Sequence, residues 1–302
     1  MEAVKSKALL EIEAQAAALA ELPNYMDALN QLEQHKEINS QEVSLVILKD
    51  KAILDPITGE DEMHLKSGNF TLSTFIKKFN EVLFEKTKFA KTKIKDFPEF
   101  LSKLTPQDKS LLVYALSLSS FDNLGTIGTV CEHCEEKTPV DIKPAELWHS
   151  DSAPKIWDLS KDPFAYKNIQ TFLDGNLEFE ITLPTEDYRL KIMDIMDKRN
   201  ELKDGSFGII ESISFLTTKI TVKGKEDKVL TDLESEILPF LQNLPLKIKD
   251  IVLAEVDLTI FDKYMPNFYQ EAPCTKCHKI NKVSVNIEST FFRKSLLLLA
   301  KV

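Results

Sequence analysis

Apolar positions along this chain recur mainly at helical spacing. Within residues 2–22, Leu9, Ile12, Ala16 and Leu19 fall at steps of three and four and share one face of an amphipathic helix, which Pro23 ends; a second helical piece reaches about His35. A helix of that length is marginal alone in water, so it is expected to dock on its own body or on a partner. The run Val43 to Leu48 reads as a strand. Asp55-Pro56-Ile57-Thr58-Gly59 reads as a turn leading to a return strand through Met63 to Leu65. Leu72, Phe75, Ile76, Phe79 and Leu83 predict a helix over 71–85. Thr105-Pro106-Gln107-Asp108 supplies an N-cap, a first-turn proline and an acid, opening a helix to about Ser120 that buries Leu111, Leu112, Ala115 and Leu118.

The second half mixes both periodicities. Pro139, Pro144, Pro154 and Pro163, with Trp148 and Trp157, describe an irregular segment laid over an apolar surface. Leu177 to Leu183 alternates with period two and is a strand with one buried face. Thr185 then caps a helix whose first turn carries Glu186 and Asp187. A further helix is predicted over about Phe207 to Thr218, a hairpin tip at Lys223-Gly224-Lys225 and a capping box at Thr231-Asp232-Leu233-Glu234. Pro239 and Pro245 keep the following helices short. Phe291, Phe292 and Leu296 to Leu299 form a C-terminal helix apolar on most sides, which must be buried internally or against a neighbour.

These elements make a helix-rich α+β fold. Its parts are an N-terminal helical arm (1–40), a strand pair plus helices (41–122), a ribbon built from 123–143 and 272–290, an inserted α+β region (144–271), and a C-terminal apolar helix or tail (291–302). The ribbon is thus interrupted by a large, mainly helical insertion. No repeat at a solenoid period is visible.

Charge narrows the partners. With 38 basic and 48 acidic side chains in 302 residues, the net charge of −10 repels phosphate backbones and argues against nucleic acid. Five lysines between Lys86 and Lys95 stand without an acid among them and read as a solvated face, with a docking patch for an acidic neighbour as the alternative. No apolar run approaches the roughly 18 residues of a membrane span, and Glu11 and Glu13 interrupt the stretch where a signal peptide would be apolar. Cytoplasmic synthesis without secretion is expected.

The strongest chemical signal is the cysteine pattern. All four cysteines fall in two pairs, Cys131-Glu132-His133-Cys134 and Cys274-Thr275-Lys276-Cys277, and in each the two intervening residues let a tight turn aim both sulfurs at one tetrahedral ion. Together they predict one structural zinc site ligated by Cys131, Cys134, Cys274 and Cys277. The 139 residues between Cys134 and Cys274 make closure harder than a 15-residue loop by only about 2 kcal/mol, against roughly 10 to 16 kcal/mol from structural zinc. A redox pair would want a helix N-terminus after a strand, whereas strand-like residues follow both pairs; unmetallated thiols are the other alternative. His133 and His278 lie in or beside the turns but are not needed once four thiolates complete the site.

No catalytic motif is present: there is no Walker loop, Gly-x-Gly-x-x-Gly, His-Glu-x-x-His or Gly-x-Ser-x-Gly. Only eight glycines occur, so phosphate-cradling loops are scarce. His35 and His149 lack a triad context, and His64 beside Asp61 and Glu62 reads as a strand or turn residue without a chemical role. We expect no enzymatic activity and no small-molecule substrate.

The order of pieces carries a resemblance. Leu104-Thr105-Pro106-Gln107-Asp108 opening a helix, a Cys-x-x-Cys, a strand ending in Leu183-Pro184-Thr185-Glu186-Asp187, and a second Cys-x-x-Cys followed by Phe291-Phe292 resemble the baseplate hub proteins of T-even-like contractile-tailed bacteriophages, over roughly residues 100 to 295. The resemblance implies a non-enzymatic virion component or assembly factor, made in the host cytoplasm, located in the tail baseplate and bound to other tail proteins. A zinc-ribbon adaptor for nucleic acid or for another protein complex is the alternative.

Overall fold

The structure is a computed structural model. It describes residues 39–67, 71–153, 167–198, 213–214, 217–256 and 265–297. The chain divides after Ser40, and the elements below belong to the unit that begins at Gln41. The expected arm, with its helices over 2–22 and to about His35, lies outside the described residues.

Among the described residues eight α-helices and eleven strands in small antiparallel sheets make a mixed α+β fold. The first sheet joins β1 (Gln41–Ser44), β2 (Lys51–Leu54) and β3 (Thr87–Phe89), with Gln41 opposite Leu54 and Ala52 opposite Phe89. The strand predicted to run to Leu48 stops at Ser44, because the amides of Val46, Ile47 and Leu48 turn away from any sheet to bond the Asp108 carboxylate. The predicted return strand through Met63 to Leu65 is instead helix α1 (Gly59–Lys66), and β2 takes the return. The reason is local: the Thr58 amide donates to Asp61 Oδ2 at 2.6 Å and the Asp61 amide donates to Thr58 Oγ1, a capping box inside what reads as a turn.

Helices α2 (Leu72–Lys86), α3 (Phe97–Lys103) and α4 (Pro106–Ser120) follow. Thr71, Asp96 and Thr105 cap them, each accepting from an amide three residues on. Eleven of the fifteen residues of α4 are buried, which makes it the central helix, packed on α2, β1 and β2. Against it lies α8 (Ile287–Leu297), with Phe291 5.4 Å from Phe79 and 5.6 Å from Phe121, ring centre to ring centre. Phe292 meets Phe75 at 5.0 Å and Phe79 at 4.6 Å, so the aromatic face of the C-terminal helix is covered internally. Lys86 and Lys88 in the lysine run pair with Asp61 and Asp55.

The insertion carries a sheet as well as helices. Strands β6 (Lys167–Phe172), β7 (Leu177–Thr182), β8 (Thr217–Val222) and β9 (Lys228–Leu230) form an antiparallel meander. The alternation predicted for 177–183 is observed: Leu177, Phe179 and Ile181 point inward, onto Ile237, Leu241 and Val252. Ile237 and Leu241 come from the π-turn Leu233–Ile237 and α6 (Leu238–Asn243), and Val252 from α7 (Leu246–Val256). Of the helix predicted over 207–218, residues 207–212 and 215–216 lie outside the described residues; Ile213 and Ser214 are helical, whereas Thr217 and Thr218 open β8 in a β-branched run. The cap expected at Thr231 sits at Asp232, whose Oδ1 accepts from the Ser235 amide. Trp148 stacks on Tyr114 at 5.5 Å, as expected of an irregular segment over an apolar surface; Pro154, Trp157 and Pro163 lie outside the described residues.

Candidate metal centre

Each cysteine pair sits at the tip of its own two-stranded hairpin. β4 (Thr126–Val130) pairs with β5 (Lys137–Asp141), and β10 (Tyr269–Pro273) with β11 (Ile280–Ser284), all antiparallel. The two hairpins are built to one plan. Val130 faces Lys137 and Pro273 faces Ile280, leaving loops 131–136 and 274–279 of equal length. In each loop the residue after the second cysteine adopts the left-handed region, Glu135 at φ 58° and His278 at φ 59°. Its amide returns to the carbonyl of the first cysteine, at 2.9 Å to Cys131 and 3.0 Å to Cys274. The first cysteine's own amide bonds the carbonyl of Glu136 or Lys279 at 2.9 Å, closing the loop.

This geometry aims the sulfurs inward. Cys131 Sγ lies 3.7 Å from Cys277 Sγ, Cys134 Sγ lies 3.6 Å from Cys274 Sγ, and all four fall within 4.8 Å of one another. A tetrahedral ion with metal–sulfur bonds of about 2.3 Å sets its sulfurs about 3.8 Å apart, so the donor set fits by spacing as well as by chemistry. The first cysteine of each pair is buried and the second partly so. Amide hydrogens of His133 and Lys276 point at Cys131 Sγ and Cys274 Sγ, each at 3.4 Å, placing positive dipole ends where thiolate charge would sit.

Burial, backbone amides and the facing thiols drive the cysteine pKa values apart. The amide of Cys277, helped by that of Lys276, overcomes burial and brings the Cys274 thiol down to about 6. Burial pushes the Cys131 thiol up, but the amides of His133 and Cys134 leave it below its ordinary value. The Glu136 amide pulls on Cys134, yet burial and the three facing thiols carry it up to about 12. Thiolates this close repel one another, and a divalent ion bound at the centre would neutralise them.

All four predicted ligand positions are therefore brought together. His133 and His278 are exposed and stand outside the cluster. His64 is a helix residue paired with Glu81 at 3.0 Å, not a strand or turn residue, and His149 stacks flat on Tyr269 at 3.9 Å. His35 lies outside the described residues.

Two side chains that the sequence reading passed over join the hairpins. Thr138, on β5, lies with its hydroxyl 3.8 Å from Cys274 Sγ and 3.5 Å from Thr275 Oγ1. Asn281, on β11, accepts from the Glu132 amide at 3.2 Å. Each is the second residue of its strand, and each reaches the opposite loop. The signal available was their common offset of four residues after a Cys-x-x-Cys, a polar residue where the strand turns inward.

No helix among the described residues is long and apolar enough to cross a membrane. No protein-family model matches this chain, and neither a curated protein nor a solved structure is found to be similar to it.

Proposed function

We propose that Cys131, Cys134, Cys274 and Cys277 hold one zinc ion as a structural staple, and that the protein is a structural component or assembly factor of a contractile-tailed bacteriophage baseplate hub. The convergence of sulfurs from two hairpins so distant in sequence is the observation that carries the reading. With four thiolate ligands the coordination sphere is complete. No position is left for water or substrate, so the ion serves architecture and supplies no catalysis.

The staple has a structural purpose in this topology. It fastens the two stretches of chain that bracket the inserted sheet, and Val140, Ile142, Val283 and Val285 from the hairpins reach into the same core as α4 and Phe291. A body held closed in this way suits a subunit that stays rigid while neighbours load it. The hub assignment rests on the order of motifs from Leu104 to Phe292, and on the acidic, glycine-poor composition without catalytic grammar. Its partners are other tail proteins, and its place is the virion baseplate.

Metal analysis of the purified protein tests the first half: about one zinc per chain is expected, and a metal-free folded protein refutes it. The second half is tested in infected cells by a phage carrying a stop codon in this gene. Heads without functional contractile tails are expected, and normal tails would exclude the hub role.

A further inference from the structure

Thr138 and Asn281 occupy matching places in the two hairpins, and both are buried, at 2% and 4% exposure. Each reaches across to the other hairpin's cysteine loop. Thr138 reaches Cys274 and Thr275 in the second loop, while Asn281 reaches the backbone of Glu132 in the first. The Asn281 amide nitrogen donates to the Lys279 carbonyl at 3.3 Å, which fixes its oxygen toward Glu132. Thr275 can donate to Thr138 Oγ1, leaving the Thr138 proton for Cys274 Sγ.

We infer that Thr138 and Asn281 are a reciprocal pair of positioning residues for the metal, one from each hairpin, that lock the two cysteine loops in register and, through Thr138, set the donor strength of the Cys274 sulfur. The inference rests on the four-thiolate metal reading above. The two residues act by different routes. Asn281 touches only backbone, so it aligns the first loop without altering a sulfur. Thr138 touches a ligand atom. A hydrogen bond to a thiolate lowers the energy of its lone pairs, so it weakens electron donation to the metal while holding the sulfur in place. Partners of this kind commonly contribute 10–100-fold in metal affinity.

The test uses the full chain loaded with Co2+, whose sulfur-to-metal charge-transfer band reports thiolate donor strength, and Zn2+ affinity from chelator competition. The wild type is expected to take up one Co2+ per chain with a tetrahedral spectrum; if it takes up neither Co2+ nor Zn2+, the metal reading itself fails. Given loading, Thr138→Val is expected to weaken Zn2+ binding about 10-fold and shift the charge-transfer band to lower energy, with Thr138→Ser restoring both. Asn281→Ala is expected to weaken binding about 10-fold without moving the band. Folded Thr138→Val protein with wild-type band and affinity, or Asn281→Ala with wild-type affinity, would overturn the pairing while leaving the metal site intact.

Discussion

Lys109 and Glu186, on different helices, form an ion pair of 2.8 Å in which each side chain is only 1% exposed. Lys109 comes from the first turns of α4, and Glu186 begins α5 (Glu186–Lys198). Glu288 in the first turn of α8 lies 2.8 Å from the same ammonium, and Asn80 Nδ2 donates to Glu186 at 3.0 Å. The helices that build the core are thus tied by charges that have left water. Such a pair adds little over an apolar replacement, but losing one partner strands the other. Lys109→Met is expected to cost about 3–5 kcal/mol in urea unfolding, and Lys109→Met with Glu186→Met to recover much of that loss. A single variant as stable as the wild type would mean Glu186 finds other compensation.

The same pair sets an acid dependence. Burial pushes the Glu186 carboxyl up, but the charges of Lys109 and Arg189, with hydrogen bonds from Lys109 and Asn80, hold it well below the usual glutamate range. Its folded pKa is depressed, so its stabilisation is fully present above the unfolded value of about 4.3 and is lost as pH falls toward the folded one. The stability gap between wild type and Lys109→Met is therefore expected to narrow as pH drops through the glutamate range. Loss of the proposed metal in acid would affect both proteins alike, so the difference between their unfolding curves isolates Glu186; a gap constant between about pH 3 and 7 would contradict this.

How far the sequence discloses this arrangement depends on whether the deciding partner is local. The helix start at Thr105-Pro106 was legible, because a cap and a first-turn proline act within one turn. The Cys-x-x-Cys pairs were legible as one site because two half-sites demand each other. In the sequence Glu186 is a favourable first-turn acid, and only tertiary packing reveals that it is buried against a lysine 77 residues earlier. The Met63 to Leu65 strand failed because three alternating residues carry less information than the Thr58–Asp61 capping box that overrides them. Thr138 and Asn281 escaped notice since their partners lie on the other hairpin.

Asp108 tests a second tie of long range. Its Oδ1 accepts from the amides of Val46 at 2.8 Å and Ile47 at 3.1 Å, and its Oδ2 from Leu48 at 2.9 Å. The bend so held delivers Ile47, 3% exposed, into the core of the four-stranded sheet. Asp108→Ala leaves three amides without an acceptor and is expected to cost about 2–4 kcal/mol. Asp108→Asn keeps one oxygen acceptor and is expected to cost less. Equal losses for the two, measured by thermal unfolding at neutral pH, would show that the charge rather than the acceptor geometry matters.

Removal of the proposed zinc is expected to loosen the core that the hairpins reach, not only the hairpin tips. Val140, Ile142, Val283 and Val285 all belong to the cluster around α4, so releasing Cys274 frees apolar surface at its edge. Cys274→Ser is expected to lose zinc and lower the unfolding midpoint, with faster amide exchange across 126–141 and 269–284. Loading must also displace protons, above all from Cys134, which burial and the facing thiols carry up to about 12 against the pull of the Glu136 amide. Zinc binding should therefore release protons, and its affinity should fall as pH is lowered. Calorimetry in buffers of different ionisation enthalpy counts the protons directly. A pH-independent affinity, or a Cys274→Ser protein that keeps both its zinc and its midpoint, would show that the four sulfurs do not share one ion.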